Sequence, residues 1–380
     1  MGGRGRPDAG AWALVRILFV CERLGERDDE GIRNLAQSLV DYFARRHEVL
    51  TITQSPGPKR GDVVAISMDT FQRRTFLSAE LLRRSAAFAP EVTLYVPWTS
   101  GTLPTFLRGR MLRHATGAPV AIYLTQPYAH PGWQRWFIRY MLPGLVVALS
   151  DHVVRDLAQL GAETEFVPAG VDLARFSLPD PAARARARQR FGVAPDQQLI
   201  LHVGHLNRSR MDEREMAALA RHPGRRLVIV GSTSTPHDRE LIHGLRRVGC
   251  RVIEEYVPDI QSLYAAADAY LFPTRAERSS IGVPLSVLEA LASGVPVVST
   301  RFEGLPRLFP ATPYVTFYGT LAQLERALLE LPTAPEPAAR ALVEQLDWQH
   351  IGATLEQLLT RLTRPQLDGA SGRSPASTRA

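Results

Sequence analysis

Short uninterrupted apolar runs alternate along this chain with segments whose apolar positions recur every three or four residues. That is the pattern of a parallel sheet wrapped by helices. The first series opens with VRILFV, Val15 to Val20, apolar on both sides and so expected to be buried on both faces of a sheet. A charged loop leads to Gly31, and NLAQSLVDYFARR from Asn34 predicts a helix. HEVLTIT (His47 to Thr53), VTLYVP, PVAIYL and LVVAL predict further strands, and DHVVRDLAQLG predicts a helix with Asp151 as its N-cap. The stretch from Glu165 to Val193 is rich in proline and poor in apolar periodicity, as expected of an interdomain connection. A second series follows in QLILHVGHL, RLVIVGS, CRVIEEYV, AYLFPT and VPVVST. The last periodic segment, Asp347 to Leu362, places Trp348, Ile351, Leu355, Leu358, Leu359 and Leu362 on one helical stripe. The chain therefore divides into a tail (1–12), an N-terminal α/β domain (13–175), a linker (176–196), a C-terminal α/β domain (197–345), a final helix (346–363) and a second tail (364–380). The tails, rich in Gly, Ser, Pro and Arg, are expected to be disordered.

The most informative stretch is IGVPLSVLEALASGVPVV, Ile281 to Val298, a glycine-proline turn running into a short helix, a small-residue turn and a strand. Amides at a helix start lack intrahelical partners and sit at its positive end, so Gly282, Val283, Pro284, Leu285 and Ser286 predict a phosphate or diphosphate grip. Glu289 stands about one turn further on, where a carboxylate can accept hydrogen bonds from both ribose hydroxyls. The plainer alternative is an ordinary βα unit with Glu289 in solvent.

Composition narrows the classes. With 380 residues, 45% of them apolar, and no apolar run near 18 residues, two domains of ordinary size are expected and a spanning helix is not. The first dozen residues lack the apolar core of a signal peptide. Cys21 and Cys250 follow no metal-ligand spacing, which favours reduced thiols and a cytoplasmic setting. The net charge of +7 rests on arginine, Lys59 being the only lysine. It favours anionic partners, but no nucleic-acid signature accompanies it.

VPAGVDLARF (Val167 to Phe176), VPDIQSLYAAADAYLFPT (Val257 to Thr274), PLSVLEALASGVPVVST and the tryptophan-led last helix occur in an order that resembles the large retaining GT-B glycosyltransferase family, glycosyl transferases group 1 of the family 4 type. The resemblance covers residues 15 to 362. It implies two Rossmann-like domains facing a central cleft, with the last helix crossing back to the N-terminal domain. It also implies a UDP- or GDP-sugar donor and no cofactor, and because no metal-binding Asp-x-Asp is evident, a metal-independent reaction is expected. Gly204, His205 and Arg210 fall where the family has a glycine, an arginine and a lysine that hold the donor diphosphate. Arg210 can fork onto two phosphate oxygens and steady the leaving group. His205 is a weaker clamp that Arg208 could supplement, or a loop residue without a ligand.

The family's first acidic position is here Ile281, leaving Glu289 as the ribose contact. Glu277 could approach the sugar or remain a solvated loop charge, and Pro284 replaces a common glycine. Gly31 with Arg33 looks like the remnant of the glycine-rich loop after the first strand, with Gly25 as a second candidate. Where the family carries a histidine near the sugar, this chain has TQPYAHP, so Gln126 or His130 could supply the contact. The resemblance implies front-face displacement with retention, in which the departing phosphate helps deprotonate the incoming hydroxyl.

The acceptor is expected to be a glycan or a lipid-linked hydroxyl, in cell-envelope or surface glycan synthesis. Phe71 to Phe88 and Leu103 to Gly117 mix arginines with large apolar residues, so Arg73, Arg74, Arg83 and Arg84 could hold the protein against the inner face of an anionic membrane. Their alternative is a solvated face over core residues. The rival to an enzyme is a catalytically degenerate GT-B partner or sugar-nucleotide-binding protein, motivated by Ile281 and His205. An epimerase or phosphorylase on the same fold is a third alternative.

Overall fold

The computed structural model describes residues 14–24, 29–54, 62–66, 77–310 and 312–363, without the side chains of Asp62 and Glu277. The two tails, Gly25, Lys59, Arg73 and Arg74 lie outside the described residues.

The strands of the first domain are β1 (Arg16–Cys21), β2 (Glu48–Thr53), β3 (Asp62–Ala65), β4 (Val92–Val96), β5 (Val120–Leu124), β6 (Leu145–Ala148) and β7 (Thr164–Phe166). They form one parallel sheet in the order β3-β2-β1-β4-β5-β6-β7. The second domain contributes β8 (Gln198–Gly204), β9 (Arg225–Gly231), β10 (Arg251–Ile253), β11 (Ala269–Phe272), β12 (Val297–Ser299) and β13 (Val315–Phe317). Its parallel order is β10-β9-β8-β11-β12-β13. Strand order reverses between β1 and β4 and again between β8 and β11, and a doubly wound sheet opens a ligand crevice at the carboxyl ends beside such a reversal. The strands are buried because helices cover both faces, which is why VTLYV and VAIYL are apolar throughout.

Several local expectations shift. The first helix begins at Gly31, not Asn34, because the Glu30 carboxylate caps it by accepting from the Arg33 amide at 2.8 Å. Ser150 occupies the N-cap of the Asp151–Ala158 helix, and Asp151 stands in its first turn. The 176–196 stretch contains a helix, Pro181–Arg190, whose arginines are not idle. Arg184 and Arg188 both bind the Asp268 carboxylate, at 2.5 and 2.7 Å, and so clamp this helix to the second domain. Its apolar periodicity is weak because ion pairs anchor it.

One hydrophobic core runs through both domains, from β1 and β4 to the Leu285–Ala292 helix and the last helix, Trp348–Thr363. That last helix returns to the first domain. Tyr42 and His47 of the N-terminal domain meet its Glu356 at 2.7 and 3.2 Å, and the Gly352 backbone lies so close to the Tyr42 ring that a Cβ would stand 2.4 Å from it.

Candidate functional site

The carboxyl ends of β1, β4 and β5 face those of β8, β9 and β11 across a cavity of about 360 Å³. Asp29, Glu30, Gly31, Trp98 and Gln126 line it from one side, and Gly204, His205, Arg210, Ser286 and Glu289 from the other. The domains are tied around it. The Asp29 carboxylate accepts from the Thr233 amide and hydroxyl at 2.7 and 2.6 Å, and the Ser150 hydroxyl donates to Glu303 at 2.6 Å.

Arg210 is the dominant charge in this space. Burial lowers its pKa to about 10 against the opposing pull of Glu30 and Tyr270, and its buried Nε has no hydrogen-bond partner among the described residues. A cation so placed calls for an anion from outside. Glu30 faces it from the other domain, its own pKa raised by burial despite the Arg33 amide. Gly204 leaves room for the His202 and Arg210 side chains, since a Cβ would stand 3.2 Å from His202 Nε2 and 3.3 Å from Arg210 Nη1.

His205 hydrogen-bonds the Thr235 hydroxyl through Nδ1. Burial, reinforced by Arg210, pushes its pKa down to about 3, so it contributes a neutral ring and no charge. His202 donates through Nδ1 to the Leu271 carbonyl at 2.9 Å, and burial holds it down to about 4. Both values lie below the ordinary 6.5. Between pH 6.5 and about 4 the unfolded chain therefore binds up to two more protons here, and the stability these neutral rings contribute is full above 6.5 and lost as pH falls. We expect denaturant titrations at pH 6.5, 5.5 and 4.5 to show a flatter pH dependence in the His202→Gln/His205→Gln variant than in the wild type. Parallel slopes would reject the assignment.

Glu289 projects from the second turn of the Leu285–Ala292 helix, and its carboxylate accepts from the Tyr264 hydroxyl at 2.8 Å. Ile281, where the resemblance implies an acid, seals the cavity instead. Its Cδ1 would touch a Cβ at Gly31 at 3.2 Å, so an apolar contact joins the two domains at this end.

Gly31, Gly204, His205, Arg210, Pro284, Leu285, Ser286, Glu289 and Gln126 thus share one cavity. Other expected contacts lie elsewhere. Arg208 turns away from the cavity, toward Asp238 at 3.5 Å and Glu240 at 3.2 Å. His130 is buried against the Gly101 carbonyl, with Asp156 at 3.6 Å. The Gly282 amide donates to the Thr125 carbonyl at 2.8 Å and its carbonyl accepts from Gly304 at 3.0 Å, so this peptide joins the domains and does not face an anion. Val283 is fully buried. Because Pro284 has no N–H and the Val287 amide donates to its carbonyl, the anion-facing helix start narrows to Leu285 and Ser286.

The sequence reading missed Trp98, Asp29 and Glu30. Trp98 stands just past β4, and the crevice rule for strand ends would have marked it. Its position is fixed by Glu22, fully buried at the end of β1, which accepts from the Trp98 amide at 2.5 Å, the Arg108 guanidinium at 2.7 Å and the Tyr95 hydroxyl at 2.9 Å. Arg108, expected on an amphipathic face, is therefore an internal counter-ion. Nothing in the local pattern announces a pairing across 86 positions.

Residues 197–332 match the family described as Glycosyl transferases group 1. The C-terminal domain is a glycosyl transferases group 1 domain. Curated proteins similar to this chain include the D-inositol 3-phosphate glycosyltransferase of Actinosynnema mirum, 35% identical over 161 residues, covering 38% of this chain and 37% of the relative. A GDP-mannose-dependent alpha-(1-6)-phosphatidylinositol monomannoside mannosyltransferase of Mycolicibacterium smegmatis is 30% identical over 220 residues, 52% of this chain and 56% of the relative. The chain thus spans between about a third and just over half of the length of these curated relatives. Among solved structures, Anabaena HepE in complex with UDP-glucose superposes with a TM-score of 0.74 at 17% identity, covering 91% of this chain and all of that one. WaaG, a glycosyltransferase involved in lipopolysaccharide biosynthesis, gives 0.67 at 19% identity over 90% of this chain and 99% of WaaG. The group 1 domain and its N-terminal partner together have the GT-B fold.

Proposed function

We propose that the protein is a glycosyltransferase that moves a hexose from a UDP- or GDP-sugar to a hydroxyl acceptor, with retention. The observation that carries this reading is Arg210, a half-buried cation whose buried Nε has no hydrogen-bond partner among the described residues and which shares one interdomain cavity with Glu289. Arg210 holds the donor diphosphate and stabilises the charge that develops as it leaves. The Leu285 and Ser286 amides add the positive end of their helix. Glu289, held by Tyr264, accepts from the ribose hydroxyls. The departing phosphate takes the proton of the incoming hydroxyl, so the protein's share is positioning and charge stabilisation.

Gly31 packs the facing loop against the donor, Gln126 contacts the sugar, and Trp98 forms a wall on the acceptor side. Ile281 excludes water from the sugar end where the first family acid would stand. The Arg210 charge carries the electrostatic role, and turnover is expected to be equal in magnesium and in chelator. A glycan or lipid-linked acceptor in envelope or surface glycan synthesis fits the relatives' phosphoinositide and lipopolysaccharide chemistry.

The test is a calorimetric and thermal-shift screen against UDP, GDP, ADP and their sugar conjugates. Stabilisation by one nucleotide family supports the reading, while folded protein that binds none of them would transfer the assignment to a partner subunit without turnover. Glu289→Ala is expected to weaken nucleotide-sugar binding by about 1.5–3 kcal/mol. Unchanged affinity for the nucleoside diphosphate would remove Glu289 from the ribose contact.

A further inference from the structure

The Gly132–Arg139 helix is built inside out for a globular protein. It buries Ile138 completely, yet Trp133, Trp136, Phe137 and the following Tyr140 are 47–60% exposed. The four rings form one cluster, Trp136 lying 4.8 Å from Phe137 and 5.1 Å from Tyr140, and Phe137 6.4 Å from Trp133. The neighbouring Leu103–Thr116 helix adds Leu107, 45% exposed. Neither helix contains an acidic residue. Of their arginines, Arg108 is bound to Glu22 and Arg135 to Asp156, while Asp151 on the next helix is taken by Arg307. Arg110, Arg113 and Arg139 remain exposed and outside any ion pair among the described residues, with Arg110 bonded to the Tyr140 carbonyl.

We infer that this aromatic and arginine face docks the protein on an anionic bilayer surface. Tryptophan and tyrosine are amphipathic and settle at the headgroup level, and arginines beside them meet lipid phosphates. Half-exposed rings of this kind offer roughly 300–500 Å², short of the ~800 Å² per side that a stable protein partner needs but sufficient for interfacial insertion assisted by charge. The charge complementarity thus selects the bilayer over a second copy of the chain or another protein.

The face is also coupled to the cleft. Residues 127–131 join the cavity-lining Gln126 to this helix, and Tyr128 in that segment lies under the guanidinium of Arg278, another cavity residue, at 4.3 Å. Docking here sets the mouth of the cleft beside the headgroups. The surface differs from the arginine set expected from sequence, of which Arg84 pairs with Glu80 on its own helix.

The test is co-sedimentation of the full chain with phosphatidylcholine vesicles and with vesicles containing phosphatidylglycerol, at low and high salt. Binding to the anionic vesicles that weakens with salt is expected. Trp133→Ser/Trp136→Ser/Phe137→Ser should lower it by roughly an order of magnitude or more. Arg110→Gln/Arg113→Gln/Arg139→Gln should lower it at low salt, and Arg83→Gln/Arg84→Gln should leave it unchanged. Quenching of wild-type tryptophan fluorescence by brominated lipid reads insertion without any variant. No vesicle binding by the wild type, equal binding by the aromatic variant, or a wild-type dimer that this variant dissolves would each overturn the inference. None of these readouts depends on transfer activity.

Discussion

Arg210→Ala is expected to lower turnover by roughly a hundredfold or more and nucleotide affinity by about 1.5–3 kcal/mol. The same change should leave the melting temperature of the unliganded protein unaltered or raised. The two halves of this expectation come from one fact. Burial lowers the Arg210 pKa to about 10, which means the folded protein holds this charge at a cost, offset only in part by Glu30. Removing a structural arginine, such as Arg184 or Arg188 on Asp268, would instead break an internal ion pair and destabilise the fold. Calorimetry with UDP and GDP beside thermal melts separates the cases. A destabilised variant with intact affinity would make Arg210 a structural residue.

Gly282→Ala is expected to destabilise the protein by about 2–4 kcal/mol and to open the cleft. A Cβ at this position would stand 2.5 Å from the Leu149 carbonyl oxygen, a backbone atom that cannot swing aside, while the Gly282 amide holds the Thr125 carbonyl at 2.8 Å. The methyl group must therefore separate the two domains along their contact. Melting reports the loss of stability and small-angle scattering reports the separation. Because Arg210 stays on the second domain, nucleoside diphosphate affinity should fall far less than turnover. Gly132→Ala, with nothing within 4 Å, is the control and should shift stability by less than ~0.5 kcal/mol. A Gly282 variant as stable and as compact as the wild type would show that the domains do not meet here.

The glycine shows how a correct reading of residues can still misplace a role. Gly282 was expected to present its amide to a phosphate because it precedes a helix, and that logic is local. Its actual partner, Thr125, is 157 positions away on the other domain. Arg208 could supplement His205 as a cation in the same loop, but its guanidinium lies against Asp238 and Glu240 instead. Of the two candidates in TQPYAHP for a sugar contact, Gln126 lines the cavity, whereas His130 packs its side chain against Gly101 outside it. Alternation of charge with apolar bulk in Phe71 to Phe88 is equally compatible with a membrane-facing and a solvated set of arginines. The exposed aromatic face is not legible locally, because the rings of WQRWFIRY have the same spacing whether they point inward or outward.

What the sequence by itself determined is the two series of buried strands, the helices between them, the amphipathic last helix and the segment around Glu289. These follow from apolar periodicity and from turn and cap chemistry, which act over a few residues at a time. Only the tertiary structure decided which polar groups face the same space. That depends on how two sheets abut, on Ile281 meeting Gly31 and on Glu22 pairing with Arg108, contacts whose partners are far apart in the chain. The physical reason is that burial and charge pairing are properties of a neighbourhood. The chain supplies the members of that neighbourhood, and only the packed domains bring them together.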